Sequence, residues 1–188
     1  MSWPTPEAIA AVTSPIPYDS PGPWDGGAHC AGSHLPGTGR LADYLRTFPG
    51  VSRVGGYSCR ANTANAREMS VHGTGRALDI MLPDPAYGDD IANWLVANAN
   101  VLGVQLVIWD RVIWNSERRT TRPYTGPSSH TDHIHVELTR AAANGPMDAL
   151  PAFGAEETGA RSGGVVLLLA VAAGVWALWP RKKRSRVR

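Results

Sequence analysis

Between Ser129 and Leu138 the chain reads Ser-His-Thr-Asp-His-Ile-His-Val-Glu-Leu, histidine alternating with aliphatic residues. Side chains on a strand repeat every two residues, so His133 and His135 share one face while Ile134 and Val136 point the other way. The segment must therefore be a strand with one aliphatic and one histidine-bearing face. Three of the six histidines fall in residues 130–135. A purification tag is the bland alternative, but tags do not alternate with Ile and Val, so metal binding or catalysis is expected. Glu137 stays on the histidine face if the strand continues, as a candidate to support the ligands. Asp132 has the opposite parity and reads as a strand-start or turn residue.

A second stretch carries the missing half. Ser70 to Met81 reads Ser-Val-His-Gly-Thr-Gly-Arg-Ala-Leu-Asp-Ile-Met. Residues 76–82 form a strand pattern, apolar on both faces except for Asp79, and a carboxylate there is costly to bury unless a cation meets it. Gly73 and Gly75 permit a tight turn that folds His72 back beside Asp79. Taken alone, the pair is equally a buried Asp satisfied by backbone donors and an unrelated loop histidine.

Ser70, His72, Gly75, Ala77 and Asp79 match the pattern Ser-x-His-x-x-Gly-x-Ala-x-Asp at every fixed position. Followed by a late His-x-His, this resembles the M15 class of zinc D-Ala-D-Ala carboxypeptidases and peptidoglycan endopeptidases, whose fold is shared with the hedgehog signalling domain. The resemblance covers about residues 28–140. It implies that His72, Asp79 and His135 bind Zn2+, and that His133 acts beside the metal on water or the transition state. His130 resembles an extra active-site histidine of the murein endopeptidase branch. Gly55 to Arg60 resembles a Gly-Tyr-Arg segment in which an arginine holds a substrate carboxylate or carbonyl. Ser58 stands where that arginine is often found, so Arg60 is a displaced match. Two imidazoles and a carboxylate are a common catalytic zinc set that leaves a fourth position for water. Peptidoglycan peptides are the implied substrate, and the cleaved bond, carboxypeptidase or endopeptidase, is left open.

The rest of the chain supplies a frame. The expected class is α+β, a small antiparallel sheet with flanking helices. Helix is expected over 38–48, with Leu41, Tyr44, Leu45 and Phe48 at helical spacing, and over 91–101, capped by Asp89 and Asp90. Strands are expected over 51–57, 104–109 and 112–114, the last two as a hairpin. Residues 118–126 read as a polar surface loop and 139–144 as a closing helix. Trp109 and Trp114 are core residues or groove walls. Residues 1–27 are rich in Pro, Ser and Gly, show no secretory-signal pattern, and are expected to form an extended arm before a zinc peptidase domain at 28–144. Cys30 and Cys59 are too few for a four-cysteine zinc site. They are expected to form a disulfide and so to require an oxidising compartment; two buried thiols are the alternative.

Residues 145–162 read as a linker, and 163–179 carry no charge, at the short end of the membrane-spanning range. Trp176 and Trp179 close that span, and six of the 18 basic residues follow in 181–188. A transmembrane helix over 163–180 is therefore expected, with the basic tail cytoplasmic and the zinc domain in the cell envelope. A cleaved sorting tail is the lesser alternative. Without those six cations the chain holds 12 basic against 16 acidic residues, which argues against a nucleic-acid partner. The expected protein is a monomeric, membrane-tethered peptidase; a zinc-stabilised wall-binding module and a phage lysis enzyme are the competing readings.

Overall fold

The structure, a computed structural model, describes residues 3–154. The expected transmembrane helix, the basic tail and the end of the linker lie outside the described residues. Among the described residues no helix is long and apolar enough to cross a membrane.

The chain opens with α1 (Pro6–Ala10), begun by a proline in its first turn and capped by the Thr5 side chain on the Ala8 amide. Helix α2 (Pro36–Leu45) buries Leu41 and Leu45, four residues apart on one face. Then come β1 (Arg53–Gly55), a 3-10 turn at Val71–Thr74, and β2 (Ala77–Met81). The helix expected over 91–101 is two helices, α3 (Gly88–Ala97) and α4 (Ala99–Leu102). Asn98 breaks them: its side-chain amide donates to Trp94 O at 2.9 Å, competing with the helical ladder. Asp89 and Asp90 lie inside the first turn rather than capping it, and Asp89 instead accepts from Trp109 Nε1.

Strands β3 (Val104–Trp109) and β4 (Val112–Asn115) form the expected hairpin. The expected polar loop at 118–126 instead contains a strand, β5 (Thr120–Pro123), paired to β4. All four of its residues are exposed, so no apolar alternation marks it. Strand β6 (His133–Leu138) and α5 (Arg140–Asn144), capped by Thr139, complete the set.

The six strands make one antiparallel sheet in the order β1-β2-β6-β3-β4-β5. The fold is thus α+β, with the histidine strand at its centre. One face, bearing Leu78, Ile80, Val107, Ile134 and Val136, packs on Leu41, Leu45, Ile91, Leu95 and Leu102 of the helices. Trp109 and Trp114 belong to this core and are buried in it.

The first 27 residues do more than form an arm. Ala8 and Val12 are buried in the core, and α1 packs on α3. The irregular backbone here is satisfied by distant side chains: Thr5 N donates to Asn93 Oδ1, Thr13 N to Asn100 Oδ1, and Asp19 N to Gln105 Oε1. The linker likewise packs back at its start. Phe153 stacks on Phe48, and Tyr44 Oη donates to Pro151 O. Cys30 and Cys59 form the expected disulfide. It lies against Gly73, where any Cβ would stand 3.5 Å from Cys30 Sγ, so it backs the turn that carries His72.

Candidate metal centre

Register builds the site. Across the sheet Asp79 pairs with His135, and His135 pairs in turn with Ile108, so both candidate ligands share the face opposite the helices. His72 arrives from the 3-10 turn, which Gly75 ends in the left-handed region at φ 71°. The Gly73 and Gly75 carbonyls accept from Ala31 N and Leu35 N, which fixes the turn to the segment after Cys30. Gly56 permits the closest approach: a Cβ there would stand 2.9 Å from His72 Nδ1.

Three side chains converge. His135 Nδ1 lies 3.1 Å and His72 Nε2 3.5 Å from Asp79 Oδ1, and one donor atom from each residue fits within 4.8 Å of the others. The group could hold a metal ion, and its chemistry fits one. His72 is buried, its Nδ1 has no hydrogen-bond partner, and burial, with the neighbouring His135, pushes its pKa down to about 4. It is therefore a neutral imidazole with a lone pair to give.

His135 is held from both sides. Its Nε2 lies 3.1 Å from Glu137 Oε1, and both its partners are carboxylates, which only accept, so in the metal-free protein both nitrogens carry protons. Burial opposes that charge, but the hydrogen bonds to Asp79 and Glu137 outweigh it and raise the pKa to about 9. Burial likewise works against ionised Asp79 and Glu137, and the His135 hydrogen bond wins at each, leaving both pKa values lowered. A carboxylate on the far nitrogen of a histidine ligand sets its tautomer and strengthens it as a donor. Glu137 is thus the supporting residue that strand parity anticipates.

Two more imidazoles line the same cavity of about 330 Å³. His133 Nδ1 donates to Asp132 Oδ1 at 2.7 Å, and His130 Nδ1 donates to Ser128 O at 2.8 Å. Both acceptors lack protons, so in the neutral rings Nε2 is the free nitrogen. The two rings lie 4.7 Å apart between centroids. Burial, with the neighbouring imidazoles, lowers the His130 pKa to about 4. Asp132, a turn residue by parity, proves to be the side chain that orients His133. Arg60 reaches the cavity wall, with its guanidinium donating to Ala61 O at 3.2 Å.

Sequence reading missed three contributors. Gln105 donates to Glu137 Oε2 at 3.2 Å, beside a register shift between Val104 and Leu106 that disturbs the strand's alternation. Tyr18, from the first 27 residues, hydrogen-bonds Glu137, and burial with that carboxylate pushes its pKa up. Arg122 lines the cavity from β5. Neither Tyr18 nor Arg122 carries a signal in the sequence, because each depends on pairings that only the folded chain makes.

No curated protein and no solved structure matches the chain. A family model does, over residues 30–135, which reaches from the first cysteine to the last candidate ligand. The chain belongs to the family of the VldE C-terminal domain.

Proposed function

We propose that the protein is a zinc metallopeptidase that hydrolyses peptide bonds in peptidoglycan stem peptides or cross-links, on a domain of the hedgehog/DD-peptidase type. The family's description names no reaction, so the reading rests on the site. The observation that carries it is the meeting of His72, Asp79 and His135 at one cavity, in a chain whose sequence repeats the M15 pattern at each of those positions. His72, Asp79 and His135 would hold the ion, which when bound supplies a Lewis acid and an acidified water.

The chain's own groups supply the rest. Asp132 keeps the proton of His133 on Nδ1, so Nε2 can take a proton and return it to a leaving amine. His130 offers a second Nε2 held by Ser128. Arg60 supplies a cation at the wall for a carboxylate or carbonyl. Glu137, fixed by Gln105 and Tyr18, keeps His135 in place. A wall-binding module would not need two further imidazoles with free nitrogens in the cavity.

The envelope is the proposed location, with 163–180 spanning the membrane and 181–188 in the cytoplasm. The charge-free run, the basic residues after it and the Cys30–Cys59 disulfide support it. The excess of acid outside the tail supports a partner other than nucleic acid. The test is mass spectrometry of purified peptidoglycan fragments after incubation with the zinc-loaded full chain. Release of D-Ala or splitting of cross-links is expected, abolished by a chelator and restored by zinc. Intact fragments under all conditions overturn the reading.

A further inference from the structure

A second cavity, of about 520 Å³, opens beside the metal centre. The two are neighbours along the sheet, for Tyr18, Leu106, Ile113 and Arg122 line both. Register gives the geometry. One cross-strand row runs Asp79, His135, Ile108, Ile113, Arg122, all on the face opposite the helices. Leu106, Ile108 and Ile113 form an apolar floor between the histidine and the guanidinium, flanked by Tyr124. At about 4.8 Å per strand, the Arg122 backbone stands about 14 Å from that of His135.

The far cavity is cationic. Arg118 and Arg122 line it with a single carboxylate, Glu117, while Thr120, Thr121 and Asn115 add neutral polar groups. Among the described residues neither guanidinium has an ion-pair partner, whereas Arg40, Arg46 and Arg111 each have one. An unpaired guanidinium at the end of an apolar floor suits a carboxylate, which it can grip through two parallel hydrogen bonds.

We infer that this second cavity is a substrate subsite, in which Arg122, assisted by Arg118, receives a carboxylate carried by the substrate peptide away from the scissile bond. The inference rests on the peptidase reading for what lies at the metal. An extended peptide rises about 3.3 Å per residue, so the carboxylate belongs about three to four residues from the bond that is cut. Arg122 is here a specificity residue that touches substrate, distinct from Arg60 across the metal cavity.

The test uses the full chain and two acetylated pentapeptides ending in D-Ala-D-Ala, one with glutamate and one with glutamine as the first residue. Binding is measured by calorimetry with metal chelated, so that no hydrolysis intervenes. The glutamate peptide should bind about tenfold more tightly, as expected for a charge-assisted bidentate pair. Arg122→Gln should erase that preference, and Arg40→Gln, an exposed control, should keep it. Equal binding of both peptides, binding of neither, or an unchanged preference in Arg122→Gln overturns the subsite. Turnover with zinc restored separates the two claims. A glutamate preference without cleavage sinks the peptidase reading alone, and cleavage without preference sinks the subsite alone.

Discussion

The two faces of one sheet divide the work of this protein. On β6, Ile134, Val136 and Leu138 are fully buried against helices, while His133, His135 and Glu137, one residue out of step, face the cavities. The buried part of the helix side is apolar and gains its stability from packing. The other side concentrates imidazoles and carboxylates that a core could not accept unpaired. Adjacent residues on the same strand are thus under opposite demands, and a substitution's effect should follow its parity rather than its position along the chain.

The sharpest test is on the open face. Asp79→Ala removes the carboxylate that meets both histidines. We expect about one zinc per chain in the wild type and almost none in the variant by atomic absorption. Full zinc occupancy in Asp79→Ala would break the division. The mirror test is on the closed face, where Trp114 is completely buried. Trp114→Ala should cost about 3–5 kcal/mol in urea unfolding, and the folded fraction should still bind zinc. Stability unchanged in that variant would show that the helices do not hold this face.

His133→Ala refines the open face by separating chemistry from ligation. Zinc should stay bound while turnover of peptidoglycan fragments falls roughly 10²- to 10⁴-fold. Loss of zinc instead would make His133 a ligand.

The smallest effect is the pH dependence of the metal-free protein, read as the melting temperature. His72 and His130 have pKa values lowered to about 4 from the ordinary value of about 6.5. The stability this gives is present above about pH 6.5 and lost as pH falls through about 4. The lowered carboxylates Asp79 and Glu137 act in the same direction at the acid end. His135, raised to about 9, gives stability present below about pH 6.5 and lost as pH rises through about 9. A maximum near pH 6.5 with losses on both sides is expected, and a flat profile from 4 to 9 would contradict it.

The legible part of the site was the part encoded by parity and by tight turns. His133, His135 and Glu137 fall on one face by counting alone, and Gly73 and Gly75 announce the turn that returns His72 to Asp79. What escaped was set by partners far along the chain. Strand β5 is exposed at all four residues, so only its pairing with β4 reveals it, and Arg122 came with it. Gln105 sits beside an interruption of the β3–β6 register, where counting by twos fails. The early segment looked like an arm because it is rich in proline, but side-chain amides from Asn93, Asn100 and Gln105 satisfy its backbone.

The buried guanidinium of Arg76 has a practical corollary. It is tied to Thr74 Oγ1, Leu138 O and Asp19 O, each at 3.0 Å, and Asp19 also accepts from Arg140 N. Residues 30–135, matched to the family, thus contain Arg76 but only one of these anchors. A clone trimmed to those residues would keep every candidate ligand and yet leave a desolvated cation short of two acceptors, and it would lack both Glu137 and Tyr18 beside His135. Expression boundaries for this domain belong outside Trp3 and Phe153, which both pack on the core, and a shortened product that precipitates would say nothing about the chemistry of its histidines.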